Sequence, residues 1–329
     1  MKAILKKSAL FRHYVKLRQK LSIIKYFAYF CKKHAQYCMD TCCTCKGEEA
    51  RLIAMYHVLE KGLTMPERRL GFGQPMVLQT IKQLQLVHKL NNGEYSDVCR
   101  HALAVLSEYY HLHQREHFAL ESSIESALES ILATADITSS AQIESSPEEY
   151  CRHLNADFAK FSASRHSVRN FGKTPVSMKQ IQAAVELANN SPSACNRQPW
   201  KVYCVADNEK RAQLLQLQGG NRGFGQFADK ALVITCERSS FYALEGMSLY
   251  VNGGIYLMNL SYALHYNKVA HCILGMPCTA GSLRKIHKLI GIPDSESIIA
   301  LMVCGTLAEH NFPLAVSPRK NVEDTLVVI

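Results

Sequence analysis

The sequence has no acidic residue before Asp40, although 28 of its 329 residues are Asp or Glu. The same stretch carries ten Lys and Arg residues, and the basic residues beyond it equal the acidic ones in number. The net charge of +10 is therefore concentrated in one N-terminal arm, residues 1–37.

The arm also lacks a long apolar run, because Lys25 interrupts the segment IIKYFAYF well short of the roughly 20 apolar residues that cross a bilayer. Its apolar residues recur every three or four positions, which predicts an amphipathic helix with a basic face. Such a helix packs on the rest of the protein with its lysines solvated, or it contacts an anionic membrane surface peripherally. We predict a cytoplasmic protein, because no small-residue cleavage site follows, and no nucleic-acid partner, because no base-reading module accompanies the arm.

Complete metal-binding patterns are missing as well. Thirteen cysteines without a secretory signal predict reduced thiols, and the cluster Cys38 to Cys45 has no second CxxC pair. His34 precedes this cluster at helical spacing, which leaves a zinc or redox arrangement as the alternative. His113 and His117 have the i,i+4 spacing of metal ligands but lack the HExxH order. We therefore predict surface histidines there and no metal.

Composition divides the remaining chain. A polar, serine-rich stretch predicts a linker at 134–149, between a mostly helical region, 38–133, and a second domain, 150–329. Within the helical region, glycines and prolines in His57–Pro75 predict an ordered loop, with a lid over a cofactor as the alternative. In the second domain predicted helices and strands alternate, which is an α+β order. A capping box at Ser177 marks the start of its first predicted helix. The predicted strands are 201–205, 231–236, 269–274 and 298–304, and the predicted helices after the first are 208–217, 242–266 and 280–290.

Two motifs in the second domain carry chemistry. Arg165–Arg169 reads RHSVR, and arginine offers a fixed fork of donors to phosphate oxygens. Ser191–Trp200 reads SPSACNRQPW, a turn that delivers two amides able to donate and accept hydrogen bonds before a strand begins. The glycine-rich Gly219–Gly225 precedes a strand instead of joining a strand to a helix, so no dinucleotide fingerprint is predicted there.

In this order, the two motifs resemble the flavin mononucleotide (FMN) cradle of the nitroreductase family, over roughly Phe161 to the C-terminus. The resemblance implies an α+β fold: a nitroreductase-like layered α/β/α domain with a central mixed sheet, preceded by a mostly helical N-terminal region. The segment His57–Pro75 resembles an extension found with such domains in polysaccharide gene neighbourhoods. The cofactor-binding residues that the resemblance implies are Arg165, His166, Ser167, Arg169, Pro192, Ser193, Asn196, Gln198, Asn221, Leu274, Gly275 and Arg319.

Each group has a role in the family. The basic residues hold the phosphate and ribityl chain, and Arg319 completes the phosphate site, with Lys320 as its substitute. Asn196 and Gln198 face the flavin, and the backbone at Leu274 and Gly275 approaches the ring. Asn221 and Gln226 are alternative further contacts.

The resemblance implies an FMN-dependent oxidoreductase that passes electrons from NADH or NADPH to an unidentified small-molecule acceptor. The flavin carries the chemistry, so no catalytic side chain is expected. Val322–Ile329 is expected to form a short strand that crosses to a second subunit, which implies a homodimer with the flavin at its interface. The alternative is a flavin-binding or membrane-associated scaffold without turnover.

Overall fold

The structure is a computed structural model of the chain and describes residues 9–37, 44–133, 137, 139–242, 244–276 and 279–329. The chain divides into two compact units. The helical unit contains residues 43–174, 223–227 and 306–329, and the sheet unit contains residues 1–42, 175–222 and 228–305.

The helical unit is built mainly from four longer helices. They are α2 (Cys45–Leu63), α3 (Gln74–Leu90), α4 (Asp97–Arg115) and α5 (Ser122–Leu132), followed by the short helices α6 (Pro147–Cys151) and α7 (Phe158–Ser164). The side chains of Thr44 and Ser96 accept hydrogen bonds from the first turns of α2 and α4 and so define where these helices begin. Buried side chains at helical spacing form a single core, as Leu52, Leu59 and Leu103 illustrate.

The predicted loop His57–Pro75 is partly wrong, because α2 continues to Leu63. Leu59 and Leu63 extend the buried stripe of the helix, and this packing outweighs the weak helix propensity of Gly62. A Cβ atom at Gly62 would lie 2.1 Å from the Phe72 ring, so the glycine permits close packing and does not end the helix. The turns begin after Leu63, where Gly71 and Gly73 have φ angles of 71° and 64°.

His113 is not the surface histidine that the sequence predicts. It is 1% exposed and receives a hydrogen bond at Nε2 from the Gly71 backbone N–H, at 2.9 Å. Its Nδ1 lies 2.7 Å from the carbonyl of Tyr109, one turn earlier in α4. Burial lowers the pKa of His113. The imidazole therefore links the helix to the loop before α3.

The elements of the sheet unit are α1 (Ala9–Tyr37), α8 (Met178–Ala188), β2 (Trp200–Val205), α9 (Asn208–Gln218), β3 (Lys230–Glu237), α10 (Ser248–Tyr266), β4 (Ala270–Leu274), α11 (Ala280–Ile290) and β5 (Glu296–Gly305). Its four strands form one sheet in the order β2-β3-β5-β4. Both faces of the sheet are covered, because consecutive residues along β3 are buried. Helices α8 and α10 pack against one face through Ile181, Leu260 and their neighbours.

The α+β class and the helical N-terminal region are confirmed, but the strand directions differ from the expected mixed sheet. Every neighbouring pair among the described strands of this sheet is antiparallel. Hydrophobic periodicity identifies strands without fixing their direction, which depends on how the connections cross the sheet. The capping box is confirmed: Ser177 Oγ accepts from the Gln180 N–H, and the Gln180 side chain accepts from the Ser177 N–H.

Two predicted segments have a different conformation. Residues 322–325 form a turn, closed by a hydrogen bond from the Leu326 N–H to the Val322 carbonyl at 2.8 Å, and 326–329 are exposed without regular structure. Residues 322–329, all of them described, therefore do not form the predicted strand in the structure of this single chain. Within the predicted linker 134–149, β1 (Gln142–Ser145) pairs with β6 (Phe312–Ala315). The domain boundaries stay a prediction.

Candidate functional site

The basic segment 165–169 follows α7 in the helical unit and is held near both of its ends. The buried Tyr150 donates a hydrogen bond to the His166 carbonyl at 3.3 Å. Beyond the other end, Asn170 Nδ2 donates to the Thr64 carbonyl at 3.1 Å. The segment is therefore fixed, although its residues belong to no helix or strand.

Three of the predicted phosphate ligands lie near one another in this unit. Burial lowers the pKa of His166, and the positive charges of Arg165 and Arg319 lower it further, against a hydrogen bond with the Ala315 backbone that raises it. Arg165 is half-buried, and Arg319 is exposed with its guanidinium donating to the Ser317 carbonyl. Two cations beside one neutral imidazole favour an anion at this position.

Arg169 is a buried cation without a carboxylate partner among the described residues. It is 6% exposed, its Nη1 lies 3.5 Å from Thr64 Oγ1, and its guanidinium carbon lies 5.7 Å from the centroid of the Phe224 ring. Its Nε atom is buried and has no hydrogen-bond partner among the residues that the structure describes. Burying a charge without compensation is costly, so Arg169 fits a site that receives a phosphate.

The second motif forms a strained turn in the sheet unit. Cys195, Asn196 and Gln198 have φ angles of 53°, 54° and 45°, although none of them is glycine. Asparagine tolerates this left-handed region, but cysteine and glutamine each cost about 1 to 2 kcal/mol there, and such strained residues concentrate at functional sites. The conformation of this turn therefore indicates a functional constraint.

Hydrogen bonds from within the sheet unit hold the turn in place. Ser193 Oγ accepts from the Gln198 N–H at 2.9 Å. The buried Asn252 on α10 accepts from the Ala194 N–H at 2.8 Å, and its amide nitrogen donates to the Ser248 carbonyl. The turn is thus anchored both to itself and to a helix of the core.

The two amides predicted to face a cofactor are exposed on this turn. Gln198 Nε2 donates to Asn196 Oδ1 at 3.2 Å, so the two side chains lie together. Arg197, between them, is directed away and donates to Glu245 at 2.8 Å. Pro192 is exposed at the start of the turn. A pair of adjacent, accessible amides is suited to donate to and accept from the heteroatoms of a bound ring.

The end of β4 has open space beside its backbone. A Cβ atom at Gly275 would meet no atom of the described residues within 4 Å, so a flat group can approach the chain there. Gln218 Nε2 donates to the Gly275 carbonyl at 2.8 Å, and its Oε1 accepts from Asn221 Nδ2 at 2.9 Å. Asn221 Nδ2 also donates to the Leu215 carbonyl at 2.6 Å. Its amide nitrogen therefore fixes the local loop, and a role for Asn221 toward a cofactor stays a prediction.

Sequence reasoning missed Gln218 and Asn252, which position the two backbone segments of the candidate site. Both are buried polar side chains on helices. Asn252 had a readable signal, because it is a polar residue inside the otherwise apolar run LYVNGGIYL. Gln218 lies at the end of a polar helix, where a further polar residue gives no signal in the sequence.

Metal ligands do not cluster in the part of the chain that the structure describes, which contains no group of three or more His, Cys, Asp or Glu able to hold an ion. Cys45 donates to Asn91 Oδ1 at 3.0 Å. The other members of the predicted cluster, Cys38, Cys42 and Cys43, lie outside the described residues. The absence of a metal stays a prediction.

Comparison with known proteins confirms the family resemblance. Residues 163–221 match the model of the nitroreductase family. A 4-nitrobenzoate reductase from Pseudomonas putida is 39% identical over 59 residues, which are 18% of this chain and 26% of that protein. An NADH dehydrogenase from Thermus thermophilus is 23% identical over 188 residues, 48% of this chain and 90% of that protein. A solved nitroreductase family protein from Streptococcus pneumoniae aligns with a TM-score of 0.45 and 23% identity, over 53% of this chain and 100% of that one.

The family match includes the basic segment and the strained turn, and the chain covers 28% and 26% of the two relatives that it matches at 39% identity. Residues 163–221 are therefore similar in sequence to the nitroreductase family, and the chain spans about a quarter of the length of these two relatives.

Proposed function

We propose that this chain is an FMN-dependent oxidoreductase that passes electrons from NADH or NADPH to a small-molecule acceptor in two half-reactions. The observation that carries the proposal is the strained turn at 193–198, which presents two adjacent amides inside the segment that matches the family. The names of the relatives, a 4-nitrobenzoate reductase and an NADH dehydrogenase, support a redox activity.

Bound FMN would supply the redox chemistry, accepting a hydride from the nicotinamide and then releasing electrons to the acceptor. The protein residues would bind and orient this cofactor. Asn196 and Gln198 would hydrogen-bond to the ring heteroatoms, and donors from Asn196 and from the backbone near Gly275 would stabilise negative charge on the reduced ring.

The basic residues would hold the phosphate end of the cofactor. Arg165 and Arg319 lie beside His166, and the Ser167 hydroxyl belongs to the same segment. Arg169 has a buried donor that no described residue pairs with, so phosphate binding would remove the cost of that unpaired group. This arrangement supports a phosphorylated cofactor in preference to free riboflavin.

The first test is the visible spectrum of the purified protein. We expect flavin absorption bands that bleach on anaerobic addition of NADH or NADPH and return when an acceptor such as a quinone is added. Flavin that stays oxidised with both nucleotides would contradict turnover and favour a flavin-binding scaffold. A colourless protein that binds no added FMN would overturn the proposal as a whole.

We also propose a homodimer in which the C-terminal tail of one subunit binds beside β2 of the other. In the described sheet β2 is an edge strand, and an edge strand accepts an added strand by backbone pairing. A groove of about 610 Å³ runs along β2 and α8, with Trp200 stacked on Tyr256 at 4.8 Å between ring centroids. The tail supplies exposed apolar side chains, among them Leu326 and Val328, at 61% and 87% exposure.

Sedimentation of a tail variant tests the dimer. Leu326→Asp with Val328→Asp should weaken self-association at least about tenfold, because each buried charge costs more than the 1.4 kcal/mol of a tenfold change. The matched control is Glu323→Gln with Asp324→Asn, which alters the same tail without burying charge. A dimer that the first pair of substitutions leaves unaffected would show that another surface forms it.

The cytoplasmic location of the protein stays a prediction.

A further inference from the structure

The arm helix α1 carries an apolar stripe that stays more than half exposed beside the described residues. Tyr14, Leu17, Leu21 and Ile24 follow one another at spacings of three and four residues and are 58%, 51%, 51% and 63% exposed. This spacing places them on one face of a helix. Exposed apolar side chains in a continuous row mark an interaction surface more often than scattered ones do.

A different face of α1 packs on the protein. Phe27 is partly buried and lies against Gly246, where an added Cβ atom would come within 2.7 Å of the ring. Phe11, Val15 and Ile23 are partly buried as well. Packing on the rest of the protein therefore accounts for this face only. The exposed stripe is left as a surface for a binding partner.

Basic side chains border the exposed stripe on both sides. Arg18, Lys25 and Lys32 follow one border, and Lys16 and Lys20 follow the other, all of them exposed. No acidic residue occurs in the first 39 positions of the sequence. Lysine and arginine side chains at the edges of an apolar face place their stems along apolar material and their charges in water.

This charge pattern opposes a second copy of the helix as the occupant. Paired helices bring the residues that border the apolar seam close together, and specific pairing uses opposite charges there. Here both borders are positive, so Lys20 and Lys25 would meet only other cations. An apolar stripe between two basic borders complements a surface that is apolar inside and anionic outside.

We propose that α1 lies along the surface of an anionic lipid bilayer, with the stripe of Tyr14, Leu17, Leu21 and Ile24 at the level of the upper acyl chains. The helix would lie parallel to the surface and would not span it, since none of the helices that the structure describes has the length and apolar character of a membrane span. This inference does not depend on the proposed redox function, because it rests on the arm alone.

Co-sedimentation of the full chain with lipid vesicles tests the inference. Vesicles of phosphatidylcholine with phosphatidylserine should bind the protein, vesicles of phosphatidylcholine alone should bind at least about tenfold less, and added salt should release it. Leu17→Asn, Leu21→Asn and Ile24→Asn together should reduce binding by more than about tenfold. Lys20→Glu with Lys25→Glu should do the same, because each basic residue near an anionic surface contributes about fivefold.

Matched controls keep the two sets of variants interpretable. Val58→Asn, Leu86→Asn and Phe158→Asn change three exposed apolar residues outside the arm, and Lys82→Glu with Lys89→Glu makes the same change of net charge on α3. The inference would be overturned if these control substitutions reduced vesicle binding as much as the substitutions in the arm do. It would also be overturned if the wild-type protein bound neither type of vesicle. The same holds if it bound a 30-nucleotide RNA or DNA instead of lipid, or if the stripe served only self-association.

Discussion

Replacing Arg165 and Arg319 together with alanine should lower the affinity for FMN by about two to four orders of magnitude. A hydrogen bond to a charged group contributes about 1.5 to 3 kcal/mol, and 1.4 kcal/mol is a factor of ten. Both guanidinium groups lie near His166, whose pKa is lowered by burial and then by their charges. Burial, the largest cause, still lowers the pKa of His166 when both arginines are removed, so the imidazole replaces the lost cations only in part.

The affinity is measured by quenching of FMN fluorescence on titration with apoprotein. Arg152→Ala is the matched control, because this arginine lies in the same unit, is 63% exposed and forms an ion pair with Glu149 at 3.5 Å. The control should bind FMN as the wild type does, and circular dichroism should show all variants folded. Unchanged FMN binding in the folded double variant would contradict the phosphate site.

Arg165→Lys distinguishes charge from geometry at the same position. Lysine keeps the positive charge but lacks the planar fork that binds two phosphate oxygens. We expect an affinity between those of the wild type and Arg165→Ala. This ordering separates a phosphate contact of specific geometry from a general effect of the positive charge, which the substitution retains.

Most regular elements of the sheet unit follow from local pattern. The strand predicted at 231–236 is Lys230–Glu237, and the helix predicted at 280–290 is Ala280–Ile290. The helix predicted from residue 242 begins instead at Ser248, because Glu245 accepts hydrogen bonds from the Tyr242 N–H and from Arg197 and so stabilises a turn. Such a partner, nearly 50 residues away in the chain, leaves no local signal.

The candidate site could likewise be predicted from the sequence only in part. The residue types of the turn, two amides near a proline, are readable from SPSACNRQPW. Its conformation is not, since cysteine and glutamine rarely adopt positive φ angles and no sequence pattern predicts Cys195 or Gln198 there. One long-range hydrogen bond, from the Ala194 N–H to Asn252 Oδ1, helps to fix this geometry, and burial of His113 likewise depends on a loop distant in sequence.

Replacing Glu60 with alanine should lower the free energy of unfolding of the helical unit by about 3 to 5 kcal/mol. The Glu60 side chain is 3% exposed, and its two oxygens bind His57 at 2.8 Å and His101 at 3.1 Å. His101 is itself buried, so alanine leaves a polar ring without its partner and a cavity beside Tyr56. Urea unfolding followed by circular dichroism measures the loss.

Glu149→Ala is the control for this measurement. That glutamate also pairs with a residue three positions away, Arg152, but is 52% exposed. Exposed pairs contribute about 0 to 1 kcal/mol, so this variant should unfold almost as the wild type does. Equal losses in the two variants would show that Glu60 is not a buried anchor of the helical unit.

The same carboxylate should make stability depend on pH in the acid range. Burial alone would raise the pKa of Glu60, but hydrogen bonds from His101 and His57, with their charges, lower it from 4.5 to about 2. A lowered pKa means that the unfolded chain takes up the proton first, so the stabilisation is present above about pH 4.5 and decreases as the pH falls toward 2. Glu60→Gln removes this titrating group. The difference in unfolding free energy between wild type and Glu60→Gln should therefore shrink by about 2 kcal/mol from pH 5 to pH 3, and a constant difference would contradict the charged, doubly bonded state of Glu60.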